Sequence, residues 1–145
     1  MRTERATLVS DADCGFCTWA AAKVLAWDRR RRLRPLALQN PEAERLLGGM
    51  SEEERMRSWH LVLPDGSVRS AGAAAPELLR LLPGGRPLAR LLAAFPRTTE
   101  LAYRAVASSR GTWGRLIGEG ARARARARIG ERAIDKREFR HPGGA

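Results

Sequence analysis

Cysteine, lysine and tyrosine are scarce in this chain of 145 residues, which holds two cysteines, two lysines and one tyrosine. Two cysteines cannot form a framework of several disulfides, so the fold must depend on a hydrophobic core, for which 43% hydrophobic residues suffice. No apolar run is long enough for a membrane-spanning helix, and the N-terminal residues lack the apolar stretch of a signal peptide. We therefore expect a one-domain cytoplasmic protein whose thiols stay reduced.

Acidic residues are also few relative to basic ones, and the net charge is +11. The basic residues are almost all arginine, and many of them are spread over the body of the chain. Diffuse positive charge raises non-specific affinity for polyanions without indicating a particular partner. Residues 119–145 form an Arg/Ala-rich tail. Its strict alternation leaves no apolar face on a helix, so we expect a frayed helix or disorder there, outside a domain that covers residues 1–118.

The first half of the chain indicates a strand–helix–strand unit. Residues 6–10 form a short apolar strand, and a helix with aromatic residues follows the cysteines and ends at Asp28. A second strand is predicted around Leu33–Leu38; because it contains Pro35, it should lie at a sheet edge. A connection this short between two strands through a helix makes the pair parallel.

The second half of the chain indicates an antiparallel hairpin and further helices. Asn40 and a Ser51–Glu54 capping box mark two helix starts. The hairpin joins strands at 59–63 and 67–72 through the turn at 64–66. The next helix is predicted at 75–82 with Pro76 in its first turn, short helices follow between Pro83, Pro87 and Pro96, and a last helix is predicted at 98–110 with Thr98 or Thr99 as the cap. This order predicts an α/β, thioredoxin-like fold: a four-stranded mixed sheet of order 2-1-3-4 with flanking helices, extra C-terminal helices and a basic tail.

The two cysteines lie three residues apart, in the stretch SDADCGFCTW at residues 10–19. A disulfide between Cys14 and Cys17 would close so short a loop that it would stabilise the fold little. A chemical role for the two cysteines therefore explains their spacing better than a structural disulfide does. At the start of a helix, Cys14 would be stabilised as a thiolate by unpaired N–H groups, while Cys17, one turn on, would resolve the mixed disulfide.

The motif DADCGFC resembles the Asp-x-x-Cys-x-x-Cys signature of the DCC thiol-disulfide oxidoreductases. The resemblance covers roughly residues 6–118 and extends to RLRPLALQ, to HLVLPDGSVRSAGAAAPELLRLLPG and to AYRAVASSR, with Tyr103 and Arg110. It implies a thiol-disulfide oxidoreductase of the protein-disulfide reductase type, acting on protein or small-molecule thiols and disulfides without a cofactor. The chain differs from the usual family pattern at Ala12, where glycine is common. Many thioredoxin-fold enzymes also have a cis-proline before the third strand, where this chain has Ser58, Trp59 or His60.

Six further residues are candidates for supporting roles around the cysteine pair. Asp11 or Asp13 could accept the proton of the resolving thiol, or could instead cap the loop or the helix start. Gly15 gives the loop backbone freedom, and Phe16 provides an apolar lip. Trp19 could line the rim of the site or belong to the core. His60 could act in proton transfer or be a strand residue with local hydrogen bonds.

Two alternatives to redox chemistry remain open at the level of the sequence. A zinc site needs four ligands, and only His60 and His141 could join the two cysteines, so we expect no metal. A non-catalytic binding module could instead use the basic surface and tail to bind nucleic acid or an acidic partner. The net charge favours that alternative, but aromatic residues are not interleaved with the arginines and no nucleic-acid motif is present.

Overall fold

The computed structural model describes residues 5–133, which form a four-stranded sheet with helices on both faces. The strands are β1 (Ala6–Ser10), β2 (Leu33–Ala37), β3 (His60–Val62) and β4 (Val68–Ser70). The helices are α1 (Gly15–Trp27), α2 (Pro41–Leu46), α3 (Glu52–Arg57), α4 (Ala71–Leu81), α5 (Arg86–Ala94), α6 (Pro96–Ser108), α7 (Arg110–Leu116) and α8 (Glu119–Ala133). None of the helices in the described range is long and apolar enough to cross a membrane.

The sheet has the order β2-β1-β3-β4, which confirms the predicted thioredoxin-like topology. β1 runs parallel to β2, with Ala6 opposite Leu33, and antiparallel to β3, with Val9 opposite His60. β3 and β4 form the predicted antiparallel hairpin, whose turn includes Gly66 at a φ of +86°. β2 lies at the edge, as Pro35 predicted.

The two faces of the sheet carry separate hydrophobic cores. On one face Ala6, Leu33 and Leu61 pack against Leu25 of α1 and against α4 and α5. On the other face Val9 and Val62 pack with the residues around α2, including Leu47. Because successive strand residues point to opposite faces, the strand register decides which residues can meet the cysteine helix, α1.

Two of the predicted helix caps are confirmed and one is wrong. Asn40 accepts a hydrogen bond from the backbone N–H of Glu42 at the start of α2, and the Ser51–Glu54 capping box is complete at the start of α3. At α6, however, neither threonine is the cap: the helix begins at Pro96 after Phe95. The Thr99 hydroxyl instead donates to the carbonyl oxygens of Leu92 and Phe95, and so joins α5 to α6.

The start of α4 also differs from the prediction. The strand ends at Ser70 and the helix begins at once with Ala71, whose φ is +52°, so Pro76 lies inside the helix and not in its first turn. Packing explains the early start. Gly72 donates its N–H to the Glu100 carboxylate of α6 at 3.1 Å, and a Cβ at Gly72 would lie 2.9 Å from the Glu100 Cα. Only a glycine permits so close an approach of two helices.

The Arg/Ala-rich segment was expected to fray, but residues 119–133 form a regular helix, α8, that packs against α1 and β2. The small residue Ala125 is buried, and Ile129 packs against the core. Arg132 reaches the buried carboxylate of Asp28 at 2.5 Å. The alanines of α8 therefore form a packing face, because their small side chains let α8 approach α1 closely. Residues 134–145, with His141, lie outside the described residues.

Candidate functional site

The two cysteines lie at the N-terminus of α1, where the sequence predicted them. Cys14 is the N-cap residue, and its Sγ accepts a hydrogen bond from the backbone N–H of Cys17 at 3.3 Å. The carbonyl oxygen of Cys14 accepts from the N–H of Thr18 at 2.9 Å. Both cysteines are free thiols and partly buried. An anionic sulfur at Cys14 would therefore lie against an amide donor and the positive end of the helix dipole.

The environment of Cys17 makes its thiol difficult to ionise. Burial, with the hydrogen bond and negative charge of Cys14 and the charge of Asp11, raises the pKa of Cys17 from its ordinary value of 9.0 to about 12, whereas the charge of Arg110 opposes the shift. At neutral pH Cys17 therefore keeps its proton. The pair combines a sulfur that accepts a hydrogen bond with a thiol that remains protonated.

The aspartate loop that precedes Cys14 is held by Gln39, which follows β2. Its Nε2 donates to Asp11 Oδ1 at 2.8 Å and to Asp13 Oδ2 at 3.2 Å, and its Oε1 accepts from the N–H of Ala12 at 3.2 Å. Asp11 also accepts from the N–H of Asp13 at 2.9 Å, so it caps the loop. The sequence alone predicts no role for Gln39. The sequence does indicate this contact, because Asp11 and Gln39 each follow a strand of the parallel pair, and the carboxyl ends of parallel strands meet at one edge of a sheet.

A cavity of about 250 Å³ lies beside Cys17. Its wall is mostly apolar and is built from β1, α1, α3, the segment before β3, α4, α6 and α7. The lining residues are Leu8, Ser10, Asp11, Phe16, Cys17, Ala20, Ala21, Val24, Met56, Ser58, Trp59, Leu78, Tyr103, Val106, Ala107 and Arg110. Phe16 contributes apolar surface to this wall. The segment at Ser58 and Trp59, where many thioredoxin-fold enzymes have a proline, forms part of the wall.

Tyr103 and Arg110 approach the cavity from the C-terminal helices. Burial raises the pKa of the Tyr103 phenol, while hydrogen bonds with Trp59 and Ser58 and the charge of Arg110 work in the opposite direction. In the sequence, both residues stand out only as part of the segment AYRAVASSR, which resembles the late helix of the DCC thiol-disulfide oxidoreductases. Their position depends on how α6 folds back over the sheet, which the local sequence does not reveal.

Two of the predicted supporting residues lie away from this cavity. Trp19 packs against Phe16, with ring centroids 6.1 Å apart, and under the ammonium of Lys23, but it does not line the cavity. His60 pairs with Val9 and so points to the opposite face of the sheet. There its Nδ1 lies 2.6 Å from Ser70 Oγ and its Nε2 lies 2.9 Å from the carbonyl oxygen of Arg55. Burial lowers the pKa of His60, which therefore remains neutral.

The dipeptide between the cysteines is covered by α7 and α8. A Cβ at Gly15 would lie 3.1 Å from Arg122 Nε, and one at Gly114 would lie 3.9 Å from the backbone nitrogen of Phe16. Arg122 is fixed there by hydrogen bonds to the carbonyl oxygen of Gly114 and, at 3.0 Å, to Glu119. Gly15 thus leaves room for a guanidinium group. Within residues 5–133, no three cysteine, histidine or carboxylate side chains converge as metal ligands.

Comparison with known protein families agrees with this geometry. The model of the DCC1-like thiol-disulfide oxidoreductases matches residues 8–116, which include the strand before the cysteines, both cysteines and the C-terminal helices as far as α7. No curated protein and no solved structure matched the chain. Because the match covers more than half of the sequence and includes the cysteine pair, the chain belongs to the DCC1-like thiol-disulfide oxidoreductase family.

Proposed function

We propose that this protein is a thiol-disulfide oxidoreductase that cycles between a Cys14–Cys17 disulfide and a dithiol and reduces disulfide substrates. The observation that carries the proposal is the asymmetry of the pair. Cys14 Sγ accepts an amide hydrogen bond at the start of a helix, and the raised pKa of Cys17 keeps that thiol protonated. An attacking thiolate and a resolving thiol need this difference.

The proposed reaction has two steps. The Cys14 thiolate attacks one sulfur of the substrate disulfide, forms a mixed disulfide and releases the other sulfur as a thiolate, which takes up a proton. Cys17 then loses its proton and attacks Cys14 Sγ, which releases the second substrate thiol and forms the Cys14–Cys17 disulfide. Two electrons pass from the protein to the substrate. We propose Asp11 as the acceptor of the Cys17 proton, because both residues line the same cavity.

The experiment that tests this proposal is covalent trapping in cells. Cys17→Ser keeps the attack but loses resolution, so mixed disulfides should accumulate and disappear when reductant is added. Cys14→Ser is the matched control and should trap little, since the raised pKa of Cys17 keeps that thiol protonated. Mass spectrometry of the trapped species identifies the substrates. Equal trapping by both variants, or trapping by neither, would contradict the assignment of Cys14 as the nucleophile.

Binding of polyanions is a second candidate activity, favoured by the exposed arginines Arg124, Arg126 and Arg128 on α8. Such binding should be non-specific and should weaken steeply as the salt concentration rises, because counterion release dominates contacts of this kind. Sequence-selective binding that survives high salt would instead favour a nucleic-acid-binding function. The cytoplasmic location remains a prediction.

A further inference from the structure

The cavity beside Cys17 contains a guanidinium group that no carboxylate among residues 5–133 contacts. Arg110 lines the cavity and is partly buried, and its side chain makes no hydrogen bond or ion pair with any other residue in the range 5–133. The acid that lines the same cavity, Asp11, is instead held by Gln39 and by the N–H of Asp13. A cation in a mostly apolar cavity is costly unless an anion accompanies it.

The size of the cavity limits what can bind there. Its volume of about 250 Å³ exceeds the roughly 150 Å³ of a cavity that admits benzene, and is just below the roughly 300 Å³ at which pockets for drug-sized ligands begin. A folded protein cannot enter such a space. The aromatic and aliphatic walls, with Phe16, Trp59 and Leu78, favour an apolar body.

We propose that the cavity binds a small disulfide with an apolar chain or ring and one carboxylate on the half that enters, the carboxylate pairing with Arg110. This inference rests on the proposed function and specifies its substrate class. The apolar body would lie against Val24 and Leu78, and the acid would meet the guanidinium at the cavity wall formed by α6 and α7. The disulfide sulfurs would then lie on the cysteine side of the cavity, where Cys17 contributes to the wall.

The reaction follows the proposed cycle without an additional reactant. The Cys14 thiolate attacks one sulfur of the bound disulfide, the substrate S–S bond breaks, and one half leaves as a thiol after protonation. The half that remains attached to Cys14 stays in the cavity beside Cys17. Cys17, after losing its proton, attacks Cys14 Sγ and releases that half as the second thiol. The protein is oxidised by two electrons, and the substrate is reduced to two thiols, of which the one released from the cavity carries the carboxylate.

Single-turnover oxidation of the reduced full-length protein tests the inference with two matched probes. Dithiodibutyrate has one carboxylate on each half, and its diamide has the same chain without charge. Remaining thiols are alkylated at set times and counted by mass spectrometry. We expect Arg110→Met to lower the ratio of the acid and diamide rate constants about tenfold, since it removes a charge-assisted hydrogen bond. The ratio matters because Arg110 also influences Cys17, which affects both probes equally.

Three further variants complete the test, each confirmed as folded by circular dichroism. Arg110→Lys should retain part of the preference for the acid, because the charge is kept. Arg90→Met removes one charge from the exposed surface of α5, away from the cavity, and should leave the ratio unchanged within about twofold. Ala107→Leu adds volume to the cavity wall and should slow both probes, but not the much smaller dimethyl disulfide.

The outcomes separate this inference from the proposed function. If neither probe oxidises the cysteine pair, the proposed function fails and this inference fails with it. If both probes oxidise the pair and Arg110→Met leaves their ratio unchanged, or Arg90→Met lowers it equally, the oxidoreductase stands and the acid-binding cavity is wrong. If a protein disulfide reacts faster than dithiodibutyrate and Ala107→Leu does not affect either, the substrate is a protein and binds outside the cavity.

Discussion

Removing the Arg132 guanidinium should destabilise the protein strongly, because it leaves a buried carboxylate without its counter-ion. Asp28 is fully buried at the C-terminus of α1, where the helix dipole disfavours a negative charge. Its carboxylate accepts from the N–H groups of Arg32 at 3.0 Å and Leu33 at 2.9 Å, and from Arg132 at 2.5 Å. Arg132 also donates to the Asp28 carbonyl oxygen at 3.2 Å.

The expected cost of Arg132→Met follows from this burial. Breaking a fully buried ion pair costs about 3–5 kcal/mol. The Arg132 side chain is 13% exposed and two backbone donors remain on Asp28, so we expect about 2–3 kcal/mol of lost unfolding free energy. Arg57→Met is the matched control. Arg57 pairs with Glu53, but their side chains are 70% and 77% exposed, so its loss should cost no more than about 0.5 kcal/mol.

Urea denaturation of the reduced protein at neutral pH measures both costs. The double variant Asp28→Asn with Arg132→Met should lose less unfolding free energy than the sum of the two single variants. Each single variant leaves one charged group without its partner, whereas the double variant removes both charges. A cost for Arg132→Met within about 0.5 kcal/mol of that for Arg57→Met would refute the reasoning. It would mean that α8 does not contribute an ion pair to the end of α1.

Three further predictions concern Cys17, the buried His60, and Gln39 with its hydrogen bonds to the aspartate loop. Because the pKa of Cys17 is raised from its ordinary value of 9.0 to about 12, its alkylation rate in the reduced protein should rise about tenfold per pH unit up to about pH 12; a plateau near pH 9 would contradict this. Because burial lowers the pKa of His60 from 6.5, the unfolded chain binds a proton that the folded protein does not, and stability should fall as the pH drops below about 6.5. His60→Gln should make the unfolding free energy less dependent on pH in this range. If urea denaturation at a series of pH values gives the same pH dependence for the variant and the parent protein, His60 is not its source. Gln39→Ala removes the clamp on Asp11 and Asp13 and should slow disulfide reduction about fivefold at a cost of about 1 kcal/mol in stability; a rate equal to that of the parent protein would show that the clamp does not position the cysteine loop.

Much of the fold could be predicted from the sequence because its signals are local. The cap at Asn40, the capping box at Ser51 and the turn at 64–66 each involve residues two or three positions apart. The cysteines are equally local, since a strand followed at once by a helix places Cys14 at the helix N-terminus. The strand order followed from the sequence of elements and from the edge preference of Pro35.

The errors, and the alternatives that the sequence left open for His60, arose where packing between distant segments decides the outcome. The strand around His60 is apolar on both sides, so its pattern does not reveal which face His60 occupies, and a register change of one residue would reverse it. Likewise α4 begins at Ala71 because α6 lies against Gly72, and the alanines of α8 become a buried face only once α1 lies beside them.

The sequence by itself therefore determined where the cysteine pair lies in the fold, and the tertiary structure decided what surrounds it. Cys14 and Cys17 are three residues apart, so local helix geometry alone brings them together. Gln39 contacts Asp11, which is 28 positions away in the sequence, and Arg110 lines the cavity from the start of α7. Contacts over such separations are set by how whole helices and strands pack, because no short stretch of sequence contains both partners. The cysteine pair could be predicted from the sequence; the apolar cavity beside it, with Arg110 in its wall, required the fold.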